Sequence, residues 1–176
     1  MFNYRMQLSA RIEGTRSLVL VFGLSMPLLG GASCITGSGS GEALRTIDTI
    51  HGGAGPWVVA GYKMGDYAMH ALGVPRGSPD IAIVHFSPAQ VQYACVIDGV
   101  AAATGASLGK LNLGRTEVPL AEMRTTYQRR SNGREITLRV RNSFAERYRD
   151  VPREQLNERG REVLTLPNED VFEFVH

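Results

Sequence analysis

Cysteine is scarce: the chain has two, Cys34 and Cys95, in 176 residues. That excludes a disulfide framework and any all-cysteine zinc cage. Long apolar runs are missing too, none reaching the roughly 20 residues that a spanning helix needs. Neither sign of charge dominates, with 19 basic residues against 17 acidic ones, so no nucleic-acid footprint is present. No internal repeat is found, which excludes solenoids and propellers. What remains is 43% hydrophobic and 20% charged residues, the balance of a globular protein. The length predicts one domain that buries a core without staples.

The N-terminus has a different character. Arg5, Arg11 and Arg16 stand against Glu13 alone and precede the apolar stretch Ser17 to Leu29. The small residues Gly30, Gly31, Ala32 and Ser33 then lead to Cys34. Basic, apolar, small is the order of a bacterial secretory signal, and it predicts a signal peptide over 1–34. A buried N-terminal helix is the competing reading. Removing the segment leaves basic and acidic residues equal in number. Cys34 opens a second question, because the small residues before it fit a lipoprotein signal while Gly31 stands where Leu is expected. The protein is accordingly read as exported, either periplasmic or tethered to a membrane only through lipid on Cys34. Residues 35–43 read as a flexible linker, and 44–176 as the domain.

The domain reads as mixed α/β. Glu42 to Ile50 is a short amphipathic helix. Pro56 suits a first helical position, and Trp57 to Leu72 carries apolar residues at helical spacing until Gly73 and Pro75 close it. Ile81 to Phe86 is a buried strand. Ala94 to Thr104 is a small-residue helix capped by Gly105, fit for close backbone packing. Met123 to Arg130 and Glu135 to Val140 alternate around Ser131-Asn132-Gly133, the strongest hairpin signal in the chain. Six arginines decorate this hairpin, from Arg124 to Arg141, and nearby glutamates mark a solvated face rather than a nucleic-acid surface. Pro152 to Leu164 is a polar helix, and Val171 to Val175 an edge strand.

Few residues offer chemistry. His51-Gly52-Gly53-Ala54-Gly55 is a Gly-rich turn feeding a helix start, where backbone N–H groups and the helix dipole favour an anion. His51 there supplies a ligand atom, a proton or a hydrogen bond; a plain connector with a satisfied histidine is the competing reading. Cys95 and Asp98 share a helical face, so a thiolate nucleophile or a partial metal site is open, against a small buried hydrophobe. Lys110 and Asn112, read on one side of an extended segment, suit a carboxylate or phosphate oxygen. His85 sits in the apolar strand, as a core residue or a further metal ligand. His70 reads as a cation in the last turn of its helix.

The stretches IHGGAGPWVVAGYKMGDYAMHALG and CVIDGVAAATGASLGKLNL, followed by a hairpin, resemble the E-subunit family of formylmethanofuran dehydrogenase. Family members open on His-Gly-His-x-Cys-Pro-Gly and continue with Cys-x-x-Asp-Ala and Gly-Cys-x-x-Gly-Lys-Gly-Asn-Leu. His51, Pro56, Cys95, Asp98, Lys110 and Asn112 match. Gly53, Gly55 and Ala106 stand where the family has His, Cys and Cys, and no cysteine-rich zinc ribbon follows in this sequence. The resemblance covers roughly residues 45 to 176. It implies one compact α/β (α+β) domain, with helices packed on a mixed or antiparallel sheet and a C-terminal β-hairpin. It also implies a divalent metal such as zinc, with His51 and Cys95 as ligands and Asp98 or His85 as extras.

These observations lead to one expected function and two alternatives. The expected function is a binding module in which His51, Gly52, Gly53, Gly55, Lys110 and Asn112 line a pocket for a small anionic ligand, with a metal at His51, Cys95 and His85. The first alternative is an enzyme with Cys95 as nucleophile or ligand, His51 as base and Asp98 as its orienting partner. The second is a non-catalytic scaffold in an envelope complex. A homodimer is left open, and no nucleic-acid partner is expected.

Overall fold

The computed structural model describes residues 38–175; the segment 1–34 expected to be a signal peptide, with Cys34, lies outside the described residues. The chain begins with α1 (Ser38–His51), which starts at Ser38 rather than Glu42, and α2 (Pro56–Leu72). Strand β1 (Ile81–Ser87) follows, then α3 (Val91–Ala94), α4 (Val96–Thr104) and β2 (Leu113–Glu117). The hairpin strands β3 (Arg124–Arg129) and β4 (Glu135–Val140) come next. Helices α5 (Asn142–Arg147), α6 (Leu156–Thr165) and α7 (Asn168–Val171) lead to β5 (Phe172–Phe174). No helix among the described residues is long and apolar enough to cross a membrane.

The strands form one five-stranded mixed sheet in the order β2-β1-β3-β4-β5. β1 runs parallel to β2, with Ile83 opposite Leu113, and antiparallel to β3, with Ile83 opposite Tyr127. The parallel pair requires a crossover, which α3 and α4 supply. The remaining pairs are antiparallel. Side chains alternate along β1, so Ile81, Ile83, His85 and Ser87 are all buried on one face. Tyr127 and Leu138 extend that face across the hairpin and join the helix side chains Met64, Ala68 and Leu72 in one core. Each large aliphatic side chain so buried contributes about 1.5–3 kcal/mol. The expected fold, helices packed against a mixed sheet with a hairpin, is the one observed.

Pro56 opens α2 and Gly73 closes it in the left-handed conformation at φ 65°. Inside the helix pair, α2 and α4 meet backbone to backbone. A Cβ on Gly61 would stand 2.0 Å from the Val96 carbonyl oxygen, and one on Gly99 would stand 1.8 Å from that of Val58. Only glycine permits this approach. The contact fixes α4, and with it Asp98, against α2, and α1 with His51 packs on both.

The segment around Lys110 departs from expectation. Leu108–Lys110 forms a 3-10 turn instead of an extended strand. Lys110 Nζ donates to the Gly105 carbonyl at 2.8 Å, capping α4, while Asn112 Oδ1 accepts from the Ser107 N–H at 3.0 Å. Both polar groups brace the turn that precedes β2.

Candidate active site

His51 ends α1, and the Gly52 turn, at φ 79°, reverses the chain into α2. Two backbone N–H groups of this turn are consumed internally. Gly52 donates to the Asp48 carbonyl at 2.8 Å and Ala54 to Asn157 Oδ1 at 2.9 Å. The turn is clamped from α6, where Gly160 lies so close to Ala54 that a Cβ would stand 1.6 Å from the Ala54 oxygen. It is therefore a corner braced from two sides, with the Gly52 and Ala54 N–H groups already committed.

Asp98 lies in the first turn of α4. His51 Nδ1–H donates to Asp98 Oδ2 at 2.8 Å, across 47 residues of sequence. The imidazole is 26% exposed and the carboxylate 41%. With Nδ1 engaged, Nε2 is the nitrogen left free. The ring also lines a cleft of about 510 Å³. Trp57, Val58, Val151 and Leu156 give the cleft apolar walls, and Gln92, Arg149 and Asn157 add polar groups. Trp57 is held by Nε1–H donation to the Tyr148 carbonyl at 3.0 Å and by edge-on contacts with Tyr93 and Phe144.

Cys95 lines the same cleft at the junction of α3 and α4. Burial, reinforced by the Asp98 charge, pushes its thiol up to about 12. Its Sγ–H donates to the Gln92 carbonyl at 3.2 Å. The sulfur is therefore a neutral thiol near pH 7, a poor nucleophile and a poor metal ligand. His85 is satisfied elsewhere. Its Nδ1 accepts from Thr125 Oγ1 at 2.8 Å and its Nε2–H donates to the Tyr93 carbonyl at 3.1 Å. Burial lowers its pKa to about 4, so it is a neutral core residue. His70, at the end of α2, donates to the Asp66 carbonyl at 2.8 Å.

The expected binding function and its metal are corrected by this geometry. Among the described residues, no group of three or more His, Cys, Asp and Glu side chains is arranged to hold a metal ion. His51 has Asp98 as partner, Cys95 keeps its proton and His85 has both nitrogens engaged in the core. A zinc site needs about four ligands, or three plus water, and these residues do not fit one. The anion clamp fails as well, because Lys110 and Asn112 serve the 3-10 turn and do not line the cleft. Of the expected residues, the structure brings His51, Gly52, Gly53, Gly55 and Cys95 to one cleft and joins Asp98 to His51. Trp57, Gln92, Tyr148, Arg149 and Asn157 were not anticipated as lining residues. The last three arrive from the C-terminal helices and the loop between them, and no local motif marks them.

A helix–sheet domain with an imidazole–carboxylate pair on the wall of a mainly apolar cleft is the class of protein these observations define. The chain matches the family model described as FmdE, Molybdenum formylmethanofuran dehydrogenase operon, over residues 50–173, and it belongs to that family. The comparison with curated proteins finds no match.

Proposed function

We propose that this domain is an enzyme whose His51–Asp98 pair performs general acid–base chemistry on a small organic molecule seated in the cleft. The observation that carries the reading is the 2.8 Å contact from His51 Nδ1 to Asp98 Oδ2 beside that cleft. A carboxylate in that position fixes the ring and its tautomer and stabilises the imidazolium that forms on proton uptake. His51 Nε2 then takes a proton from the substrate, or from a water held against it, and returns it later in the cycle. Cys95 stays protonated and shapes the cleft floor; no covalent thioester step is assigned to it. Trp57, Val58, Val151 and Leu156 favour a substrate with an apolar body and exclude water from around the base.

The proposal includes export, supported by the order of basic, apolar and small residues over 1–34. N-terminal sequencing of the protein from its host reads this directly. A mature start near Cys34 is expected, and a start at Met1 contradicts it.

The test of the enzyme reading is differential turnover. The protein, His51→Gln and Asp98→Asn are each incubated with a metabolite extract of the host, and compounds consumed or formed are followed by mass spectrometry. At least one conversion is expected that His51→Gln abolishes and Asp98→Asn slows by about 10²-fold or more, with all three proteins folded. Absence of any conversion, or conversion unchanged in His51→Gln, overturns the enzyme reading in favour of a non-catalytic scaffold.

A further inference from the structure

Strand β2 is an edge of the sheet, with β1 on one side and no strand on the other among the described residues. The Asn112 carbonyl accepts from Ile83 N–H at 2.9 Å, and Val118 N–H donates to the Ser87 carbonyl at 3.2 Å. Even-numbered residues of this segment therefore turn their backbone groups towards β1, and Leu113, Arg115 and Glu117 turn theirs outward. Arg115, Thr116 and Glu117 are exposed. Within the strand there is no proline, so its outward backbone groups are free to pair, and its short length and the charges of Arg115 and Glu117 are its protections against indiscriminate pairing.

Two further features gather at the same edge. Leu108 and Leu111 are 71% and 84% exposed just before β2, and Leu120 is 47% exposed just after it. Leu111 also holds a left-handed backbone at φ 53°, a strained position for a bulky side chain that here puts it in solvent. Neither Leu108 nor Leu111 belongs to the core of the domain.

We propose that the outer edge of β2 pairs antiparallel with β2 of a second copy of this chain, joining two sheets across a two-fold axis. Charge selects the register. Only the outward-facing residues form backbone-bonded pairs, so an axis on Arg115 or on Glu117 sets like charges opposite each other. An axis on Gly114 sets Arg115 against Leu113 and Glu117 against Leu111. An axis on Thr116 sets Arg115 opposite the partner's Glu117, twice by symmetry, with threonine against threonine between them; opposite charges and threonine pairs both favour this alignment. The Arg115 guanidinium donates inward, to the carbonyls of Ser87 at the end of β1 and of Pro88 after it, at 3.0 and 3.3 Å, so pairing with the partner's Glu117 requires it to turn from those acceptors to the outer edge. Glu117 makes no ion pair among the described residues. Pro119 has no N–H to offer and ends the pairing there, and the leucines at either end of β2 cover the flanks.

Sedimentation equilibrium of the protein as its host processes it, taken up to about 100 µM, tests this. Wild type is expected at twice the chain mass. Arg115→Glu and Glu117→Arg each weaken association by at least about tenfold. The double variant Arg115→Glu/Glu117→Arg restores it to within about threefold, because each reversed charge again faces its opposite. Circular dichroism and thermal midpoints unchanged across the set show that folding is intact. A wild-type monomer at the highest concentration overturns the proposal, as does a dimer indifferent to the single reversals or not restored by the double one.

Discussion

Gly61 and Gly99 lie on opposite sides of the α2–α4 contact, Gly61 against the Val96 backbone and Gly99 against the backbone of Val58 and Tyr62, so each has the other helix's backbone where a side chain would start. This contact sets the distance between two elements that have to agree for His51 and Asp98 to meet. Helix α1 packs on both α2 and α4, so a shift of α4 by one side chain moves the carboxylate away from the ring.

Gly99→Ala is therefore expected to cost at least about 2 kcal/mol of stability by overpacking. Gly61→Ala is expected to behave alike. Gly109→Ala is the control, since a Cβ there meets nothing within 4 Å, and its change should stay within about 0.5 kcal/mol. Urea unfolding of the three variants checks the ranking. Equal effects at all three sites would count against the close approach.

Cys95 should resist modification. With its thiol pushed up to about 12, the thiolate fraction near pH 8 is about one in 10⁴, some three orders of magnitude below that of a free cysteine. Peptide mapping after iodoacetamide treatment is expected to find Cys95 unlabelled in the native protein and labelled in urea. Rapid native labelling would return the thiolate to consideration.

Some of this arrangement was legible in the sequence. Pro56 and Gly73 bracket α2 because one is preset for a helix start and the other tolerates a left-handed end, both local properties. The Ser131-Asn132-Gly133 turn is local too. Strand β2 was not legible. Leu-Gly-Arg-Thr-Glu has little β preference, and it becomes a strand because β1 offers it a parallel partner. Lys110 and Asn112 misled for a related reason: as residue types they suit an anion, yet a carbonyl at Gly105 and an N–H at Ser107 lay nearer. The His51–Asp98 contact fell between these cases. Both residues stood out, and the enzyme alternative already named Asp98 as the partner of His51, but the sequence also set Asp98 beside Cys95 on one helix, and the packing of α1 on α4 supplies the actual contact. The cleft's C-terminal wall depends on long-range packing throughout.

Acid should weaken the fold through His85. Its pKa of about 4 in the folded protein lies below the ordinary histidine value of 6.5. Between those values the unfolded chain binds a proton that the native state refuses. Stability is therefore complete above about pH 6.5 and falls as the pH drops towards 4, by up to about 3 kcal/mol. The His85 ring resonance should hold its neutral position down to about pH 5 by NMR. Titration near 6.5 would show the ring to be solvated.

Zinc should leave the protein unaffected. A ligand that binds the native state raises its melting temperature by mass action, so a preformed site would reveal itself. The thermal midpoint is expected to stay within about 1 °C when Zn²⁺ is added in about tenfold excess. A rise of several degrees that disappears in His51→Gln would contradict the donor-set argument.

The most direct measurement is a long-range ¹H–¹⁵N NMR spectrum of the His51 ring near pH 8, in wild type and in Asp98→Asn. The account predicts a single neutral tautomer in wild type, with the proton on Nδ1 facing Asp98 and a bare Nε2 towards the cleft. Asp98→Asn should lose that preference while the remaining spectrum stays in place. A proton on Nε2 in wild type, or a tautomer unchanged by Asp98→Asn, would contradict it: Asp98 would not be orienting His51, and the pair would not be an acid–base device.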